Sequence, residues 1–498
     1  LRLKNLNAAF ATLLTRPFPL NANPTPFEHL LESSPSMRAL LQSLFRLRFA
    51  SRMKQFAGIP GPVPSYPFGT LREFSGKNPW EVCVGYGKTY GGITLVWMGG
   101  QPTLVLNDPK LIGEVLITKT NDYYKDYPIK ALRPVLKNTL FNLNPPELTD
   151  LRKPHNHPLL IEGYDEWLRS RFPIVKSVVE KHLSLMQASS SDVLLIDRMQ
   201  RVFFDVFNRI TCGPDFVDGG FDNFYAISVM ATTRMKVPQS LLIPPIKPSF
   251  HRAMKLHYGA YEAAVTKARQ KPDPDADDLL HIFLRQGTKI PDLQLVDFLS
   301  EFHAGGNISA AAGVVNTLHL LNTNSKIADR LYAELSKLPA NFDLAAMEQV
   351  PLLDHVLRES LRMIPPVAIY GRSVNKTRKT VLGSYELPPD TPVLICTEAV
   401  QRSASHWQDP DTFNPDRWAN GVVEANPVGS DYFFPFGRGP RMCAGAAMAM
   451  LCMKIVLGTI LSRAAVKTSG PFKGVLHCGV IETPELKGRL VPHPPSAG

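Results

Sequence analysis

No stretch of this 498-residue chain reaches the roughly 20 consecutive apolar residues that span a bilayer, so no membrane-crossing helix is expected. Cysteine is scarce. The six present (Cys83, Cys212, Cys396, Cys443, Cys452 and Cys478) form no C-x-x-C pair and no disulfide-like framework, which fits a reducing compartment. No basic run is interleaved with stacking aromatics and no zinc-finger or RNA-recognition signature occurs, so nucleic acid is not expected as a partner. Internal repeats are lacking. The 44 prolines and 33 glycines fall short of the ~25–30% that marks low complexity, and they punctuate a fold instead of replacing one. Apolar residues at 44% and charged residues at 20% exclude a disordered chain and a polytopic membrane protein.

What the sequence does have is a basic surplus, 55 Lys and Arg against 44 Asp and Glu, for a net charge of +11. That balance attracts acidic proteins or anionic lipid at long range without choosing between them. The chain opens at Leu1, and residues 1–27 carry Arg2, Lys4 and Arg16 with no acid before Glu28. An organelle transit peptide and an arbitrary chain boundary both fit that pattern. From Met37 to Phe56, Leu40, Leu41, Leu44 and Leu47 mingle with Arg38, Arg46, Arg48, Arg52 and Lys54, as in a basic helix lying on a membrane or packed on a domain. Ile59-Pro60-Gly61-Pro62 stops that helix. The expected division is a basic N-terminal extension, 1–58, followed by one catalytic domain, 59–498.

Ile93–Met98, Gly99-Gly100 and Pro102–Leu106 read as a β-hairpin, and Asn107-Asp108-Pro109 as a helix cap. Helical periodicity dominates from about 150 to 365, short strands return from Val381 to Thr397, and Ala446 to Ala465 is a strongly apolar helix. The fold class is therefore mainly α with small β-sheets: a large helical region and a small sheet-rich lobe near the N-terminus.

Phe436-Gly437-Arg438-Gly439-Pro440-Arg441-Met442-Cys443-Ala444-Gly445 fits F-x-x-G-x-R-x-C-x-G at every fixed position. Glycines at 437, 439 and 445 let the backbone turn beside a flat cofactor, and Phe436 can pack near the sulfur. Cys443 stands where a helix begins, whose free N–H groups favour a thiolate. In this segment the chain resembles the cytochrome P450 family, and the resemblance implies the cytochrome P450 fold and a haem b with Cys443 as its axial ligand. Glu359 and Arg362, three apart on one helix face, and Arg417 in Phe413-Asn414-Pro415-Asp416-Arg417-Trp418 match the family's structural trio behind the haem. Arg441 and Arg372 stand where the family places cations for the propionates. For the third cation Arg152 is preferred over Arg171, although Leu148 replaces the aromatic or histidine usual four residues earlier.

A monooxygenase of this family carries A-G-x-D/E-T on its central helix, where acid and hydroxyl deliver protons. Here Ala304-Gly305-Gly306-Asn307-Ile308-Ser309 keeps the glycines, expected to open a groove over the haem, and loses both proton-handling groups. Asn cannot ionise and Ile cannot relay, but Ser309 can hold a water if the helix bulges. Asn307 is expected on the haem side. Two principal readings stay open. One is a monooxygenase acting on an apolar, lipid-like substrate, with electrons from an acidic redox partner such as a ferredoxin or flavoprotein reductase. The other is an isomerase or dehydratase of a lipid hydroperoxide or endoperoxide in which Asn307 orients the peroxide, as the asparagine of allene oxide and prostacyclin synthases suggests. A haem-binding protein without turnover is a third. Phe302, Ala304, Val367 and Ile369 are the candidate pocket lining, and the apolar loop Leu241–Ile246 a candidate entry. The expected location is intracellular, at a membrane surface or in an organelle.

Overall fold

The structure is a computed structural model that describes residues 35–493 except 76, 126–131, 154–156, 190, 218, 237–247, 288–289 and 426. The segment 1–34 and the loop 241–246 thus lie outside the described residues. The chain forms two compact units.

The first unit joins Leu1–Leu132, Val229–Lys247 and Ile369–Cys396. It contains α1 (Pro35–Gln55), α2 (Pro79–Tyr90) and the strands β1 (Ile93–Met98), β2 (Gln101–Leu106), β3 (Tyr123–Tyr124), β4 (Ile369–Val374), β5 (Thr380–Leu382), β6 (Tyr385–Leu387) and β7 (Pro392–Cys396). The hairpin pairs Ile93 with Leu106 and Met98 with Gln101. Gly99, at φ +64°, supplies the left-handed turn residue. Asp108 caps the helix that follows by accepting from the N–H groups of Lys110 and Leu111. The sheet order β1-β2-β7-β4-β3 adds to the N-terminal hairpin two strands that arrive from beyond residue 368. A contiguous hairpin exposes unpaired edges, and β7 covers one of them by pairing parallel to β2. Strand β4, which precedes the region where strands were expected, went unanticipated. Helix α1 packs here as well. Phe45 stands edge-on to Trp97 at 5.1 Å and Arg52 donates to Gly100 O at 2.9 Å.

The second unit comprises Arg133–Ser228, Pro248–Ala368 and Thr397–Gly498. Its main helices are α3 (Phe172–Gln187), α4 (Leu195–Cys212), α5 (Phe221–Lys236, counted here to Ser228), α6 (Pro248–Gln270), α7 (Asp292–Phe302), α8 (Ile308–Thr323), α9 (Pro351–Met363) and α10 (Ala446–Arg463). After α10 come β8 (Ala465–Ser469), β9 (Val475–His477), β10 (Val480–Glu482) and β11 (Lys487–Val491), none of which the sequence pattern announced. Helix α8 is buried along most of its length, with Ala310, Ala311, Val314, Val315 and Leu318 at 2% exposure or less, as a central helix must be. Gly313 lets it approach α10, since a Cβ there would lie 2.6 Å from Met453 Sδ. Among the described residues α10 is the one helix long and apolar enough to cross a membrane, yet most of it is buried in this core.

Candidate active site

The loop before α10 is shaped by its glycines. Gly437 and Gly439 sit at φ +74° and +73°, where a side chain would strain the backbone. The loop closes on itself: Cys443 N–H donates to Phe436 O at 2.9 Å and Met442 N–H to Gly439 O at 3.0 Å. Gly445 then caps α10, and a Cβ there would stand 4.0 Å from Cys443 Sγ. Cys443 is exposed, whereas Cys452, in the body of α10, is buried and its thiol is pushed up to about 12 by that burial. Phe436 is half-buried.

Arg152 reaches this loop. Its Nη2 donates to Met442 O at 2.8 Å, and its Nε, buried, meets no acceptor among the described residues. Burial holds the Arg152 guanidinium below its usual value, with the charges of Cys443 and Glu301 opposing. Arg171 is committed elsewhere, to Asp277 at 2.6 Å. Arg441 is buried in the loop itself. Arg372 lies on β4, in the other unit, where it donates to Gly371 O at 2.8 Å, and Ile369 begins the same strand. Arg438, overlooked in the sequence, is also buried and pairs with Asp431.

Glu359 and Arg362 are brought together on α9, at 0% exposure each, with Nε–Oε2 at 2.8 Å and Nη2–Oε1 at 2.9 Å. Arg417 Nε donates to the same Oε1 at 2.9 Å, Asn414 N–H to Oε1 at 3.0 Å and Trp418 Nε1 to Oε2 at 3.0 Å. Gln401, which no motif announced, links this cluster to the cysteine loop. Its Nε2 donates to Leu361 O and its Oε1 accepts from Phe434 N–H, both at 2.9 Å. Only a long-range contact map would have revealed it.

Between α7 and α8 the central helix carries a π-turn, His303–Asn307. One extra residue in a helical turn rotates everything after it, and such turns gather at functional sites. Here the rotation turns Asn307 and Ile308 inward, to 0% and 2% exposure, and leaves Ala304, Gly305 and Ser309 accessible. Asn307, expected toward the open side, instead donates from Nδ2 to Gln200 O of α4 at 2.6 Å. Nor do both glycines open a groove. A Cβ at Gly306 would strike the Phe207 ring at 2.7 Å, so that glycine serves helix packing, while a Cβ at Gly305 would meet nothing within 4 Å. Ser309 Oγ donates to Gly305 O at 2.8 Å, which leaves its lone pairs for an incoming donor. Phe302 is 7% exposed, and its ring lies 6.1 Å from the His157 ring. Val367 is half-buried against the core.

An accessible thiol at the head of a core helix, and beside it a buried guanidinium N–H that meets no acceptor among the described residues, suit a metal-bearing group that itself carries anions. Haem, with its iron and two propionates, has that chemistry.

A cytochrome P450 family profile matches residues 59–474. The chain is 25% identical over 428 residues to cytochrome P450 CYP72A616 of Paris polyphylla, covering 81% of this chain and 82% of that one. It is 22% identical over 403 residues to Protein LUTEIN DEFICIENT 5, chloroplastic, of Arabidopsis thaliana, covering 75% and 67%. The fold matches the crystal structure of the cytochrome P450DA heme domain with a TM-score of 0.73 at 18% identity, over 88% of this chain and 97% of that one. This is a haem-thiolate enzyme by fold and family. The chain belongs to the cytochrome P450 family, whose members are in general monooxygenases that bind small-molecule substrates and draw on a redox partner.

Proposed function

We propose that this chain is a haem b monooxygenase of an apolar, lipid-like substrate, with Cys443 as the iron ligand and Ser309 as the hydroxyl that manages protons. When bound, the haem supplies oxygen activation. The chain's own residues do the rest. The N-terminus of α10 and the loop N–H groups favour Cys443 as thiolate. Arg152 and Arg441 offer cations for the propionates, a role that the family resemblance alone gives Arg372, and Glu359, Arg362 and Arg417 brace the loop through Gln401. Phe436, Gly439 and Gly445 shape the loop around the sulfur. Ser309, its hydrogen given to Gly305 O, accepts a hydrogen bond from water or from substrate.

The observation that carries the reading is the π-turn, which supports Ser309 on the accessible side and takes Asn307 away from it. The peroxide-rearranging alternative needs the Asn307 amide to meet substrate, and its burial at 0% exposure, with one N–H bonded to Gln200 O, weighs against it. Phe302, Ala304, Val367 and Ile369 are kept as the proposed pocket lining, Phe302 being the buried one of the four.

The electron donor we propose is an acidic ferredoxin or flavoprotein reductase, in keeping with the net charge of +11. Contact with an anionic membrane surface draws on α1, where Met37, Leu40, Leu44 and Leu47 are exposed among Arg38, Arg46 and Arg48. We keep residues 59–498 as the haem domain and 1–58 as its extension. Aerobic turnover of a fatty acid with reductant, set beside anaerobic turnover of a fatty-acid hydroperoxide without it, tests the proposal. Product in the second arm alone refutes it.

A further inference from the structure

Outside the cysteine loop, one buried run of polar groups crosses five elements, and it passes Gln200 from side-chain amide to main-chain carbonyl. His477, at the end of β9, bonds through Nδ1 to Glu482 Oε2 of β10 at 2.7 Å and through Nε2 to Ser228 Oγ of α5 at 3.0 Å. Ser228 Oγ in turn donates to Tyr225 O at 2.7 Å, so the imidazole is the donor in their contact. The other oxygen of Glu482 accepts from Gln200 Nε2 of α4 at 2.5 Å. Gln200 O then accepts from Asn307 Nδ2 in the π-turn at 2.6 Å. Ser228, His477, Glu482, Gln200 and Asn307 are 4%, 7%, 5%, 2% and 0% exposed, so water competes little for any link. The hairpin carrying His477 and Glu482 is also tied to the turn that holds Val367, through Ile481 N–H to Pro366 O at 2.8 Å, and β10 packs on α8.

We infer that Glu482, His477 and Gln200 are positioning residues: Glu482, oriented by His477, holds the Gln200 turn of α4 against the hairpin, and the Gln200 main-chain carbonyl holds Asn307, which fixes the π-turn of the central helix and hence the direction of the Ser309 hydroxyl. The asparagine in place of an acid is then an anchor rather than a reacting group. Its amide offers the N–H that a carbonyl needs, and a carboxylate there would oppose Gln200 O. The extra residue of the π-turn is held only while that anchor is engaged. A hairpin that touches the proposed pocket turn and also sets Ser309 couples the fit of the substrate to the handling of protons. This deepens the monooxygenase reading and rests on it for its functional arm.

The test compares Glu482→Leu, Glu482→Gln and Asn307→Leu with the parent holoenzyme by amide hydrogen exchange. Glu482→Leu and Asn307→Leu are expected to speed exchange at 303–309 by about tenfold, the factor a hydrogen bond to a charged or buried group carries, while α3 stays unchanged. Glu482→Gln keeps an acceptor for Gln200 and should fall between them and the parent. In turnover, Glu482→Leu should send more electrons to hydrogen peroxide and leave KM within about twofold, and that loss should vanish when Ser309 is already alanine. Exchange that rises equally in α3 and 303–309, or in neither, overturns the inference, as does additivity with Ser309→Ala. If Glu482→Leu fails to fold, Glu482→Gln and Asn307→Leu carry the same comparison. Faster local exchange in a protein that forms no product with oxygen and reductant keeps the anchor and refutes the functional reading. Unchanged exchange with normal turnover does the reverse.

Discussion

Glu359 gathers five hydrogen bonds on one buried carboxylate. Its two oxygens accept from Arg362 twice, from Arg417 Nε, from Asn414 N–H and from Trp418 Nε1, all between 2.8 and 3.0 Å. Glu359→Ala removes the anion and leaves Arg362, at 0% exposure, with backbone acceptors alone, Gln401 O and Pro410 O, both at 2.9 Å. Removing one partner of a buried ion pair costs about 3–5 kcal/mol, and the top of that range applies because a second arginine and an indole N–H lose the same acceptor. Against a typical total of about 5–15 kcal/mol, that is a third or more of the folding free energy. Glu359→Gln keeps the volume and one acceptor oxygen but turns an NH2 group toward donors, and it should cost about 2–4 kcal/mol. The assay is urea unfolding together with haem content, read as Soret absorbance against protein absorbance. Gln401 ties Arg362 to Phe434 and the cysteine loop, so haem loading should fall along with stability. A Glu359→Gln protein within about 1 kcal/mol of the parent and fully haem-loaded would refute the reasoning.

Four further outcomes are expected. Cys443→Ala should abolish the red-shifted Soret band of the reduced carbon monoxide complex, and Cys452→Ala, a buried site, should keep it. Ser309→Ala should divert electrons from product to hydrogen peroxide without changing the unfolding midpoint in urea. Rebuilding the family's acid and hydroxyl with Asn307→Asp and Ile308→Thr should destabilise by about 2–5 kcal/mol instead of restoring coupling, because both side chains point inward and the carboxylate meets Gln200 O; a gain in coupled product would contradict this. Burial alone would lower the pKa of His477, but hydrogen bonds with Cys478 and Glu482 and the Glu482 charge outweigh it and raise the value to about 10. A raised folded-state pKa contributes stability that is complete below pH 6.5 and lost as pH rises through about 10; a His477→Gln variant should lack that decline, whose limiting slope is about 1.4 kcal/mol per pH unit.

The sequence by itself determined the family, because the F-x-x-G-x-R-x-C-x-G loop is contiguous and each of its residues acts on near neighbours: two glycines at positive φ, a cysteine at a helix start, a phenylalanine carbonyl for its N–H. It also determined the first hairpin and the Asp108 cap, both of which are short-range hydrogen-bond patterns. Tertiary structure alone decided which way the central helix faces. A one-residue insertion into its hydrogen-bond ladder leaves no mark in the order of residues, which by itself points Asn307 toward the reaction and makes Gly306 part of a groove. The partners that settle both, Gln200 O and the Phe207 ring, lie about a hundred residues earlier on α4. Strand β4 beside β7 and Gln401 beneath Arg362 escaped for the same reason: pairing between distant segments depends on where the whole chain brings them, and no local propensity records it.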